Sequence, residues 1–195
     1  MSLQSRFAAA ARASLLLAAL CLPWAPNAHA QSKLTPEQKE TGRNAALKLS
    51  AEALQKLYKL QPEAQKGIEA AAGYAVFDIT SIYAILFVGQ KGKGVLFDNK
   101  SKKQTFMTST RMGTGPGAGK QRVFQVFVFK SKGAMDQFVL TGGLGGDVTA
   151  TISTGTEGSV RSFNPSIDIY QIPESGMALQ ASWGGTVYAV DGDLN

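Results

Sequence analysis

Histidine and cysteine are almost missing from this 195-residue chain, which has one of each, His29 and Cys21, both among the first thirty residues. Those thirty residues read as a secretory signal peptide. Arg6 and Arg12 give a basic start, Ala13 to Leu22 form an apolar run too short to span a bilayer, and Ala28-His29-Ala30 supplies small residues for cleavage. A lipidated Cys21 is the competing reading, but Leu20 is bulky where a lipoprotein site takes a small residue. Pro23 and Pro26 argue against an uncleaved anchor. The mature chain, residues 31–195, is expected to be one domain, periplasmic or otherwise exported, with neither imidazole nor thiol.

That double absence excludes whole classes of chemistry. Ser-His-Asp and Cys-His systems need an imidazole base. Zinc sites built on thiolate or imidazole are excluded too, as is disulfide stapling. A Ser-Lys mechanism in its S-x-x-K form is absent, since no serine has lysine three residues later. Carboxylate-only hydrolysis stays open, yet Asp147, Asp168 and Glu174 show no spacing that marks a pair. The expectation is a protein that is not an enzyme and has no cofactor and no metal.

Acidic residues are scarce in the middle of the chain. Residues 91–132 hold ten Lys/Arg against Asp98 alone, a net of +9. Residues 31–90 net +1, and residues 133–195 carry Arg161 against seven acids, a net of −6. Such a segment attracts anionic headgroups, acidic polymers or nucleic acid, and export makes nucleic acid the least fitting. Solvated strand ends and loops are the competing reading. The candidate headgroup contacts are Lys91, Lys93, Lys100, Lys102, Lys103, Arg111, Lys120 and Arg122.

Secondary structure follows from spacing. Thr35-Pro36-Glu37 reads as an N-cap, a first-turn proline and an acid at the positive helix end. Helical rows run on to about Leu60, one through Leu47, Ala51, Leu54 and Tyr58, its neighbour through Ala46, Leu49, Ala53, Leu57 and Leu60. Glu52 and Lys56 are spaced for an i,i+4 pair. The helix packs on its own domain or docks on a membrane surface. A short second helix is expected through Ala72, closed by Gly73.

β-branched and aromatic runs follow. Tyr74 to Ile79 and Tyr83 to Val88 read as consecutive strands divided at Thr80-Ser81. Val95 to Phe97 and Thr105 to Thr108 flank a turn at Asp98-Asn99-Lys100-Ser101, with Lys100, Lys102 and Lys103 at its tip. Val123 to Phe129 reads as a central strand, and Ser131 as the cap of a helix through about Leu140. Later strands are expected at 148–152, 166–172, 177–183 and 186–190. The fold class is α+β, with N-terminal helices on a mainly antiparallel sheet that is curled or barrel-like.

Gly113-Thr114-Gly115-Pro116-Gly117-Ala118-Gly119-Lys120 imitates a phosphate loop and fails as one. Thr114 stands where the required glycine belongs, Gln121 replaces the Mg²⁺-binding hydroxyl, and a strand follows instead of a helix. A flexible connection that lets backbone and Lys120 approach an anion is expected. An outer-membrane barrel fits poorly with the amphipathic first helix, the two-faced apolar strand and the Asp-Gly-Asp-Leu-Asn terminus.

The order of motifs resembles the SYLF domain family. The resemblance rests on residues 72–77 leading to Gly89-Gln90-Lys91-Gly92-Lys93-Gly94, on Val123 to Phe138, and on Ser175 through Trp183-Gly184-Gly185 to Asn195. Two departures fall in the first strands: Asp78 where a proline often stands, and Ile82 to Ala84 without the family's glycine. The resemblance implies binding of acidic phospholipid, often helped by an amphipathic N-terminal segment. Three functions are thus in contention. The leading one is non-catalytic binding of anionic phospholipid at the cell envelope. The second is an interaction module for an envelope protein or acidic polymer, and the third is hydrolysis by carboxylates alone.

Overall fold

Two strands of 26 residues each dominate the molecule. The computed structural model describes residues 34–142, 158–160, 164–180 and 183–195, and Leu34–Asn195 forms one compact unit. Helix α1 spans Pro36–Leu60 and α2 Glu63–Ala70. Strands β1 (Gly73–Asp98) and β2 (Gln104–Phe129) form a long antiparallel hairpin. After α3 (Lys132–Thr141) come β3 (Gly158–Val160), β4 (Ile167–Gln180) and β5 (Trp183–Val190). β4 pairs with the second half of β2 and β5 with its first half, while β3 lies beyond β4. The sheet is antiparallel and, among the described residues, curled without closing.

Helix ends obey the expected chemistry. The Thr35 hydroxyl accepts the Gln38 N–H at 3.3 Å, and Gln38 Oε1 accepts the Thr35 N–H at 2.9 Å, a reciprocal capping box. Ser131 Oγ accepts the Ala134 N–H at 3.2 Å and starts α3. The second helix ends at Ala70 and not at Gly73, which opens β1.

The expected break at Thr80-Ser81 does not exist: β1 runs through it, with Thr80 opposite Arg122 and Ser81 opposite Gln121. The change of direction comes later and involves both strands. A methyl group at Gly94 would overlap the Phe77 ring and stand 2.5 Å from Val76 O; one at Gly73 would overlap Phe97 O. In a straight strand Phe77 and Gly94 would be roughly 55 Å apart. The hairpin is therefore doubled over, its first limb packed on its second. The fold line is the bulge between Ile85 and Phe87, where Leu86 faces Gly115-Pro116. Pro116 lacks an N–H and sits in the one gap of the ladder, unpaired with β1, β4 or β5. Apart from Gly115 and Pro116, the Gly113–Lys120 stretch is thus paired strand, not the flexible connection its glycines imply.

Doubling over creates an inner and an outer face. The inner face holds Phe77, Phe127, Phe129 and Tyr188, closed by Met135 and Phe138 of α3. Phe138 lies 5.3 Å from Phe127 and 5.0 Å from Tyr188, ring centre to ring centre. Such pairs add about 0.5–1.5 kcal/mol each to the stabilisation from burial. Burial also pushes the Tyr188 phenol well above its usual range, against a smaller opposing effect of Arg111. The outer face carries Val76, Phe124, Val126, Val128 and Ile172, covered by Ala53 and Leu57 of α1 and by Ala64 and Ile68 of α2. The apolar rows of α1 thus pack on the sheet, although Ala51 and Leu60 are exposed while Ser50 is buried. Lys56 pairs with Glu174 of β4 and not along its own helix.

Candidate functional site

Small residues on the first half of α1 leave space unfilled between the helix and the outer face. Gly42, Ala45 and Ala46 lie over Val76, Thr80 and Phe124, and the space between is a groove of about 510 Å³. That volume lies in the range of small-molecule sites. Ser50 also lines it, with its hydroxyl already donating to Ala46 O at 2.9 Å. The lining is mainly apolar, with Lys91 and Lys93 as its cations and Asp78 as its acid.

Asp78 is already engaged. Arg122 donates to its two carboxylate oxygens at 2.7 and 2.8 Å, and this hydrogen bonding raises the guanidinium pKa further. Arg122 also lies 5.5 Å from the centre of the Phe124 ring, with Lys56 Nζ at 5.4 Å. The acid of the groove is therefore already neutralised, and Lys91 and Lys93 supply its net positive sign. Asp78 is thus fixed by a bidentate ion pair with Arg122 across the β1–β2 ladder.

The eight candidate cations do not share one patch. Lys91 and Lys93 are exposed and line the groove. Lys120 is exposed opposite Ile82, and Arg122 sits opposite Thr80 in its ion pair. Lys100, Lys102 and Lys103 are exposed at the β1–β2 turn, about 40 Å along the strand from the fold line. Lys102 and Lys103 border a separate shallow depression with Arg43 and Glu40. Arg111 is only 8% exposed and borders a different, shallow depression with Ile82 and Met112. Local charge density could not see the alternation that turns Arg111 inward while Lys91 and Lys93 stay exposed.

Elsewhere in the basic segment, Lys130 pairs with Asp168 at 2.7 Å and Lys132 with Asp136 at 2.6 Å. Asp168 and Glu174 are thus each held by a lysine, and Asp147 lies outside the described residues, as do the expected signal peptide and the strand at 148–152. Among the described residues, none of the six exposed lysines proposed for headgroups has an acid within ion-pairing distance. No described helix is long and apolar enough to cross a membrane. Sequence reading missed Gly42, Ala45 and Ala46, whose signal was a run of small residues on the helix face turned to the sheet.

No protein-family model matches the chain. It is similar to Beta cell expansion factor A of Aeromonas veronii, 33% identical over 163 residues. The match covers 83% of this chain and 62% of that protein, so the chain spans less than two thirds of its relative's length.

Proposed function

We propose that this protein binds an anionic phospholipid without catalysis, at the cell envelope of an exporting cell. The observation that carries the reading is the groove under α1: apolar walls, two lysines at its margin and its own acid already neutralised. An acyl chain would occupy the space beneath Gly42, Ala45 and Ala46, and the phosphate would meet Lys91 and Lys93, with Lys120 nearby on the same sheet face. Lysine suits this task, because a mobile point charge near an anionic surface is worth about 1 kcal/mol. The motif order that resembles the SYLF family supports the same reading. In it α1 acts as a wall of the site, since its apolar rows are turned to the sheet.

Isothermal titration with two soluble short-chain lipids tests this. Dihexanoyl phosphatidylglycerol should bind at least about tenfold more tightly than dihexanoyl phosphatidylcholine, and the difference should shrink as salt rises. Equal affinities at all salt concentrations would overturn the reading.

A second reading has one observation in its favour. Lys100, Lys102 and Lys103 stand together at the hairpin turn, far along the strand from the groove. They form a separate site for an acidic polymer or an envelope protein. A partner captured by the protein and lost in a Lys100/Lys102/Lys103 charge-reversal variant would establish it.

A further inference from the structure

The fold line of the hairpin exposes a cluster of large apolar side chains. Ile82 is 56% exposed, Ile85 79%, Leu86 59%, Phe87 70%, and Met112, opposite Gly89, 82%. Water-facing strand residues in an antiparallel sheet usually alternate with buried ones. Here Ala84 to Phe87 are all exposed in succession. Across from them β2 offers glycines 113, 115, 117 and 119 with Thr114, Pro116 and Ala118, so no long side chain of that strand faces the cluster. Ile85 adopts φ +56°, a conformation that β-branched residues rarely take. The backbone is thus held in a costly shape that keeps these side chains outside.

Charge says what covers them. From Ile79 to Phe97, from Asn99 to Met135 and from Ser175 to Val190 the sequence has no Asp or Glu. All three strand paths that meet the fold line are therefore free of acids there. Lys120 sits opposite Ile82, and Lys91 stands five residues beyond Leu86. A convex apolar tip behind an acid-free, lysine-bearing collar complements a bilayer that presents phosphate outside and hydrocarbon within.

We propose that this bend, with Leu86 and Phe87 at its centre, inserts into the surface of an anionic phospholipid bilayer. The inference deepens the lipid-binding reading and rests on it for the choice of lipid; the bend and the groove are nevertheless separable. The bend brings the protein to the membrane, and the groove receives a single molecule.

The test uses the full chain and the neutral double variant L86S/F87S, whose loss of binding cannot come from added negative charge. Co-sedimentation with phosphatidylglycerol–phosphatidylcholine vesicles should fall on the order of tenfold or more in the variant. Titration with dihexanoyl phosphatidylglycerol should be unchanged, which also reports an intact fold. Phe87→Trp should gain fluorescence that lipids brominated in their acyl chains quench. Unchanged vesicle binding in L86S/F87S, or no such quenching, would overturn the proposal while the groove stands. Vesicle binding lost in the variant, with no short-chain lipid bound by either protein, would leave the bend standing and overturn the groove. A dimer abolished by L86S/F87S, with vesicle binding unaltered, would assign the cluster to a second copy and contradict bilayer insertion.

Discussion

At the scale of single residues, the fold depends on places where a side chain cannot fit. Gly94 lies against Val76 and Phe77, and Gly92 against Asp78 and Ile79, because the two limbs of β1 touch. Gly94→Ala should lower stability by about 1–3 kcal/mol, since the clash includes backbone that cannot swing aside. Gly67, inside α2 with open space around it, gives the opposite result. Gly67→Ala should raise stability by about 0.5–1 kcal/mol. Chemical denaturation of the two variants beside the parent checks both signs. A third residue gives a pH signature. The Ser101 N–H, more than any other group, holds the Asp98 carboxyl below its ordinary value against a desolvation cost; the Ser101 hydroxyl, the Lys100 N–H and Lys132 add to the lowering. A carboxylate so held stabilises the fold above its free pKa, and that contribution fades as pH falls through the lower, folded value. Asp98→Asn should therefore reduce the melting temperature at neutral pH, with the difference from the parent closing in strong acid.

Elements were legible in proportion to how local their causes are. Thr35 with Pro36, and Ser131, announce helix starts because caps act within four residues, and both starts fall where chemistry puts them. The turn at Asp98 was legible for the same reason. The doubling of the hairpin was not, because it depends on contacts between residues some twenty positions apart. Glycines at 89, 92 and 94 fall between two expected strands, and 113–119 reads as a flexible connection. In the folded chain they lie within paired strand, where limbs approach closely or the ladder crosses its fold line. An unbroken apolar run from Ile82 to Val88 was the available clue, since a strand cannot bury every residue of such a run in one core. The groove's wall gives a test at this scale. Ala45 is exposed yet lines the groove, so Ala45→Trp should fill the space and leave the helix content unchanged. Binding of dihexanoyl phosphatidylglycerol should drop about tenfold or more, with circular dichroism as the control.

Across the whole molecule, the segment charges read from sequence are partly cancelled on folding. Arg122, Lys130 and Lys132 meet Asp78, Asp168 and Asp136, and Arg111 turns inward. What remains is divided between the groove side and the hairpin turn, a separation no linear tally of charge could show. The account predicts that these two groups of lysines do different things. The deciding measurement is the affinity for dihexanoyl phosphatidylglycerol in two charge-reversal variants, K91E/K93E and K100E/K102E/K103E. Binding should be lost in the first and held within about twofold of the parent in the second, despite its larger change in net charge. Equal losses in both, or a greater loss in the triple variant, would contradict a groove-centred site and reduce the lipid to a counter-ion of the overall charge.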